Sequence, residues 1–130
     1  MCVKLVKVEI SKTDNIFLEL DEKIAPKTVD ILLKSLPFQT KLHVWGEEVY
    51  TDPTPIKAQE ENAKSLVDLF DVAYWPPGNA ICLFYGQTPI SEKNQIKPYS
   101  AVNVIGKIKN PDKNILAKIK DGAKATLTPN

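Results

Sequence analysis

Only two stretches of this chain carry a sustained helical pattern, and most of the rest reads as short strands and the loops that join them. Pro26 opens the first at a position where a missing N–H costs nothing. Val29, Leu32, Leu33 and Leu36 follow at i, i+3, i+4 and i+7, one apolar stripe. Pro37 stops it. The second helix is expected to be capped by Asn110, with Pro111 at its first position and Asp112 suiting the positive end of the dipole. Ile115, Leu116 and Ile119 form its apolar face, and Gly122 can supply a left-handed C-cap.

The remaining segments alternate or are continuously apolar. Val3 to Ile10 and Asn15 to Leu20 are expected strands around the turn-like Ser11-Lys12-Thr13-Asp14. Gln39 to Trp45 and Glu47 to Thr51 are two more, with Gly46 as bend or bulge. Asp52-Pro53-Thr54-Pro55 is a loop, since neither proline can donate to a ladder. Glu60 to Lys64 is expected to make one helical turn. Leu66 to Trp75 and Ala80 to Tyr85 read as strands joined by Pro76-Pro77-Gly78-Asn79. Gly86 to Tyr99 is a long polar connection of the kind that is often functional. Ala101 to Lys109 reads as a strand, with Val102, Val104 and Ile108 alternating about Gly106, and Ala123 to Thr128 as a last one. Seven or eight such strands favour a closed barrel, because closure removes edges. The expected fold is mainly β: a barrel of about eight strands with helices at Ala25–Leu36 and Asp112–Lys120 capping its ends, residues 1–130 forming one domain.

A chain of 130 residues can bury a core without a disulfide or metal staple. Net charge is +1, and the lysines are scattered from Lys4 to Lys124, so neither nucleic acid nor an anionic membrane is an expected partner. Two cysteines and one histidine, His43, leave no zinc-like cluster and no disulfide framework. No glycine-rich phosphate loop or dinucleotide fingerprint is present, and no cofactor is expected. The start MCVKLVKVEI lacks a signal-peptide core, so a reduced cytoplasm is the expected location.

Two segments resemble the cyclophilins. APKTVDILLKSL (Ala25 to Leu36) is similar to their first helix, and VNVIGKIKNPDKNILAKIKDG (Val102 to Gly122) to the strand ending Phe-Gly-Lys-Val and the helix after it. Between them WGEEVY (Trp45 to Tyr50), DVAYWPPGNAICLFYGQTP (Asp71 to Pro89) and SAVNVIGKI (Ser100 to Ile108) resemble more closely a smaller group, the uncharacterised cyclophilin-like proteins of bacteria and archaea. The resemblance implies an eight-stranded barrel with two helices and no established activity. It also marks a departure. Isomerase cyclophilins carry Phe-His-Arg after the first helix, then Gln-Gly-Gly-Asp; their arginine holds the substrate carbonyl and donates to the prolyl nitrogen. Here that region is KLHVWGEEVY, and all seventeen basic residues of the chain are lysine. Lysine lacks the planar fork of five donors.

Trp45, Tyr50, Tyr74, Trp75, Phe84 and Tyr85 fall in three segments that a barrel would bring together. A small barrel fills its interior with side chains, so surplus aromatics often line an outer groove. The expected ligand-binding residues are Trp45, Glu47, Tyr50, Tyr74, Trp75 and Phe84, receiving a small molecule or peptide. Glu47 and its neighbour Glu48 point to opposite faces of a regular strand, so they form no shared acid–base pair unless Gly46 distorts the backbone. His43 reads as structural, and Cys82 as a small buried hydrophobe. No catalytic or metal residue is assigned. Weak prolyl isomerisation and protein–protein interaction are the alternative functions.

Overall fold

Side-chain alternation builds the interior. The computed structural model describes residues 3–130; Cys2 lies outside them. In β1 (Val3–Ile10), Val6, Val8 and Ile10 point inward, as do Ile16, Leu18 and Leu20 of β2 (Ile16–Asp21). Six further strands complete the wall: β3 (Phe38–Trp45), β4 (Glu48–Thr51), β5 (Asp71–Trp75), β6 (Ala80–Phe84), β7 (Asn103–Ile108) and β8 (Ala123–Pro129). All pairings are antiparallel, and the barrel closes in the order β1-β2-β7-β5-β6-β4-β3-β8.

The helices sit at opposite ends. At the Asn103 end of β7, the Asn103 amide donates to Thr28 Oγ1 of α1 (Pro26–Ser35) at 3.1 Å. The Ile108 end instead borders a cleft with Ile115 and Leu116 of α2 (Lys113–Ala117). Val29 and Leu32 from α1 join the barrel core, as do Leu116 and Ile119 from the other end.

Several expectations are corrected in detail. Asp112, not Asn110, caps α2, its carboxylate accepting from Asn114 N at 2.9 Å. Pro111 therefore lies outside the helix. The helix ends at Ala117, so Gly122 (φ +88°) serves the turn into β8 rather than a C-cap. Glu60 to Lys64 forms no helical turn; Lys64 instead bridges Val102 as an isolated β pair. The strand expected from Leu66 begins only at Asp71. Phe70 turns the chain with φ +67°, and the Asp71 carboxylate accepts from Asp68 N. The alternation of Val102, Val104 and Ile108 is broken by a bulge. Val72 pairs with Gly106 and Ala73 with Val104, leaving Ile105 as the extra residue. A bulge of this kind re-aims the side chains on either side of it. Ile105 and Ile108 thus face the core, while Val102 and Val104 pack on the barrel's outside.

One polar network holds the long segment before β5 onto α1. Glu61 accepts from Lys27 N (3.0 Å), Thr28 N (2.8 Å) and Thr28 Oγ1 (2.7 Å). Asn103 accepts from Glu61 N and donates to Gln59 O. Partial burial works to raise the Glu61 pKa, but the bonds from Thr28 and Lys27 outweigh it and hold the carboxyl below its usual value. Glu61→Gln should cost ~1 kcal/mol, the low end for a charge-assisted group because the site is partly solvated. A depressed carboxyl stabilises above its unfolded value of 4.5 and loses that effect as pH falls through the folded value. The gap between parent and variant in urea denaturation should therefore be full at neutral pH and narrow as pH falls below 4.5; a gap that does not change with pH would contradict the assignment.

Candidate functional site

The same alternation that fills the barrel puts a second set of side chains on its outer face. In β4, Val49 and Thr51 point inward, and Glu48 and Tyr50 outward. In β6, Ile81 and Leu83 are core residues, while Cys82 and Phe84 lie outside. In β5, Val72 and Tyr74 are inside, and Ala73 and Trp75 outside. Register aligns Tyr50, Cys82, Ala73 and Val104 across four strands. Segments that bridge Lys64 to Val102 and Val67 to Ile96 cover part of this face. Beneath them Val67, Ala73, Cys82, Phe84 and Val102 form a second apolar cluster, separate from the barrel core.

Beside that cluster opens a cavity of about 210 Å³. The β3–β4 hairpin contributes Trp45, Glu48 and Tyr50. Trp75 and Cys82 come from β5 and β6, and Pro98, Tyr99 and Val102 from the chain approaching β7. Tyr99 stands edge-on to both indoles, at 6.1 Å from Trp45 and 5.8 Å from Trp75 between ring centroids. Trp75 is pinned on two sides. Its Nε1 donates to Ser100 Oγ at 2.6 Å. Its ring also covers Gly78 so closely that a Cβ there would lie 2.4 Å from it. The connection that carries Pro98 and Tyr99 is ordered by its own side chains: the Gln87 amide donates to Glu92 O and Gln95 O, and Thr88 Oγ1 donates to Lys97 O.

Among the described residues, Glu48 is the one charged group on the cavity wall. It is 5% exposed, and its Oε1 has no hydrogen-bond partner among the described residues. Burial pushes its pKa up from 4.5 to about 7, and a hydrogen bond to the carboxyl from the Cys82 thiol, a poor donor, works the other way. The Cys82 thiol is itself driven well above its usual value by burial and then by Glu48, so it is not a nucleophile at neutral pH. Burial, then the carboxylates of Asp121 and Glu48, also raise the Tyr50 phenol.

Of the six residues expected from sequence, the structure brings Trp45, Tyr50 and Trp75 to the cavity. Glu47 is not on its wall. Gly46 (φ +60°) and Glu47 form the two-residue turn between β3 and β4, and Glu47 reaches Lys113 near the α2 end at 3.1 Å. Tyr74 is fully buried inside the barrel, its hydroxyl bonded to Ile56 O at 2.9 Å. Phe84 is fully buried in the outer cluster and does not reach the opening. Between Glu47 and Glu48 the sequence alone leaves open which faces the groove, and the structure puts Glu48 on the wall. Once Gly46-Glu47 is a two-residue turn, Trp45 pairs directly with Glu48, and directly paired residues share a face. Tyr99, at the end of the long connection, had only its loop position to mark it.

His43 lies outside the cavity. Its Nε2 contacts Asp52 Oδ1, and its Nδ1 lies 3.5 Å from Asp121 Oδ1. Asp121 also accepts from Val44 N. His43 thus bonds one carboxylate and lies near a second, at the start of the chain leaving β4 and at the turn into β8. Among the described residues no group of three or more His, Cys, Asp or Glu is placed to hold a metal ion, and no helix is long and apolar enough to cross a membrane.

Comparison with curated proteins finds no match. Among solved structures, the chain is similar to the solution structure of a hypothetical protein from Archaeoglobus fulgidus. The two are 39% identical over 99% of this chain and 96% of that one, with a TM-score of 0.84. The family model described as Cyclophilin-like matches residues 4–128. With that span and the closed eight-stranded barrel, the chain belongs to the cyclophilin-like family.

Proposed function

We propose that the protein binds a small molecule or a short peptide segment in the cleft bounded by Trp45, Tyr50, Trp75 and Tyr99, and that prolyl isomerisation is not its main activity. One observation carries the reading: a buried carboxyl with an unpartnered oxygen borders an otherwise apolar, aromatic cavity. Buried polar groups are nearly always hydrogen-bonded, and concave apolar sites with one or two convergent polar groups are the usual form of a ligand site. The absence of arginine supports the second half of the proposal, because no side chain here offers a planar, permanently charged fork to a peptide carbonyl.

Titration of small molecules and proline-containing peptides, followed by indole fluorescence, tests both halves. Burying one face of an indole against a ligand is worth about 2–3 kcal/mol, so Trp75→Ala should weaken a bound compound ~30-fold. Thermal stability should fall while the barrel stays folded, since Trp75 is half-buried at the rim and loses its bond to Ser100 and its packing on the outer cluster. A ligand indifferent to Trp75→Ala would move the site elsewhere. Peptide prolyl rotation, ~10–100 s uncatalysed, should stay close to its uncatalysed rate. Acceleration of ordinary cyclophilin strength, in protein free of host contaminants, would reverse the second half.

A further inference from the structure

We propose that the cleft selects a compact organic ammonium ion, with its charged nitrogen against Glu48 and its carbon skeleton between Trp45, Trp75 and Tyr99. The inference rests on the reading of the cleft as a binding site and names the chemistry that site would choose.

Three observations converge on it. First, Glu48 is 95% withdrawn from solvent by its 5% exposure, borders the cavity, and keeps Oε1 without a donor. An N⁺–H group supplies that donor and a compensating charge together, which makes a charge-assisted bond stronger than a neutral one. Second, no lysine lines the cavity, although the chain carries seventeen basic residues. An anionic ligand would meet a carboxyl and no cation. Third, two indoles and two phenols surround the space, with Tyr99 edge-on to both indoles. Aromatic faces attract cations within about 6 Å of the ring centre, tryptophan most strongly. A cavity of ~150 Å³ holds benzene, so 210 Å³ accommodates a ring bearing a short substituent. The competing arrangement is a neutral Glu48 carboxyl donating to an amide or alcohol oxygen, and it predicts the opposite preference.

Benzylammonium, benzyl alcohol and benzoate, matched in size and shape, separate these at pH 8 in the full chain, read by indole fluorescence or amide chemical shifts. Benzylammonium should bind at least ~10-fold tighter than benzyl alcohol, and benzoate not measurably. In Glu48→Gln the preference should collapse while benzyl alcohol binding persists, which shows that the cleft is still formed. Equal or tighter binding of benzyl alcohol to the parent chain overturns the cation preference and leaves the cleft standing as a site. Probe binding that survives Trp75→Ala unchanged, or no binding of benzylammonium at millimolar concentration, overturns the proposal; the former sinks the site as well.

Discussion

At pH 8, Glu48→Gln is expected to be more stable than the parent chain by about 2 kcal/mol. The folded protein holds this carboxyl at about 7 against 4.5 when solvated. An acid whose folded pKa is raised binds its proton more tightly in the native state. Its contribution is therefore fully favourable below 4.5 and is lost as pH rises through about 7. The ionised group then costs the fold about 3 kcal/mol. Glutamine carries no charge, and its buried amide gives back roughly 1 kcal/mol of that advantage for want of partners. Urea denaturation at pH 5 and pH 8 checks the sign. The difference between variant and parent should be near zero at the lower pH and favour the variant at the higher. A difference that is constant with pH would mean that Glu48 is solvated.

Gly106→Ala should have the largest effect in the other direction, ~3 kcal/mol or more of destabilisation and a fall in Tm of roughly 10 °C. The added Cβ would lie 2.0 Å from Glu19 O and 2.9 Å from Leu20 Cα, both backbone atoms of β2. No side chain can swing aside to make room, so β2 and β7 must part where Leu20 pairs with Gly106. Gly122→Ala is the informative control. Nothing lies within 4 Å of its would-be Cβ, and only its φ of +88° opposes a side chain. It should cost about 1 kcal/mol. Similar losses at the two glycines would falsify the close approach of β2 and β7.

The barrel was readable because its signals are local. Pro26 with Val29 and Leu32 defines α1, and alternation in Val6, Val8 and Ile10 defines a half-buried strand whatever surrounds it. The errors fall where tertiary contacts decide. Leu66 and Leu69 look like strand residues, yet both are exposed, because Phe70 leaves the extended region one residue before Asp71. The bulge at Ile105 requires a partner strand to exist at all. For the cleft, Trp45 and Trp75 were legible as surplus aromatics. Glu48 was not, since choosing it over Glu47 depends on whether the hairpin turns at Gly46 alone or at Gly46-Glu47. That choice inverts every side chain of β4. Tyr74 and Trp75 show the same parity: neighbours in sequence, one sealed in the core and one at the rim.

Because β4, β5 and β6 carry interior and cleft residues on alternate positions, the two faces can drift independently under substitution but not under changes of length. One residue inserted into β4 would send Glu48 and Tyr50 into the barrel and Val49 out of it. Exchange of outward-facing residues such as Tyr50 and Trp75 can therefore reshape the cleft with the core left untouched. Gains and losses of chain are expected mainly in the connection over Gly86 to Tyr99, where backbone pairing is sparse. The divergence to be expected among relatives is a conserved frame with variable rims, most of all in the segment that delivers Tyr99.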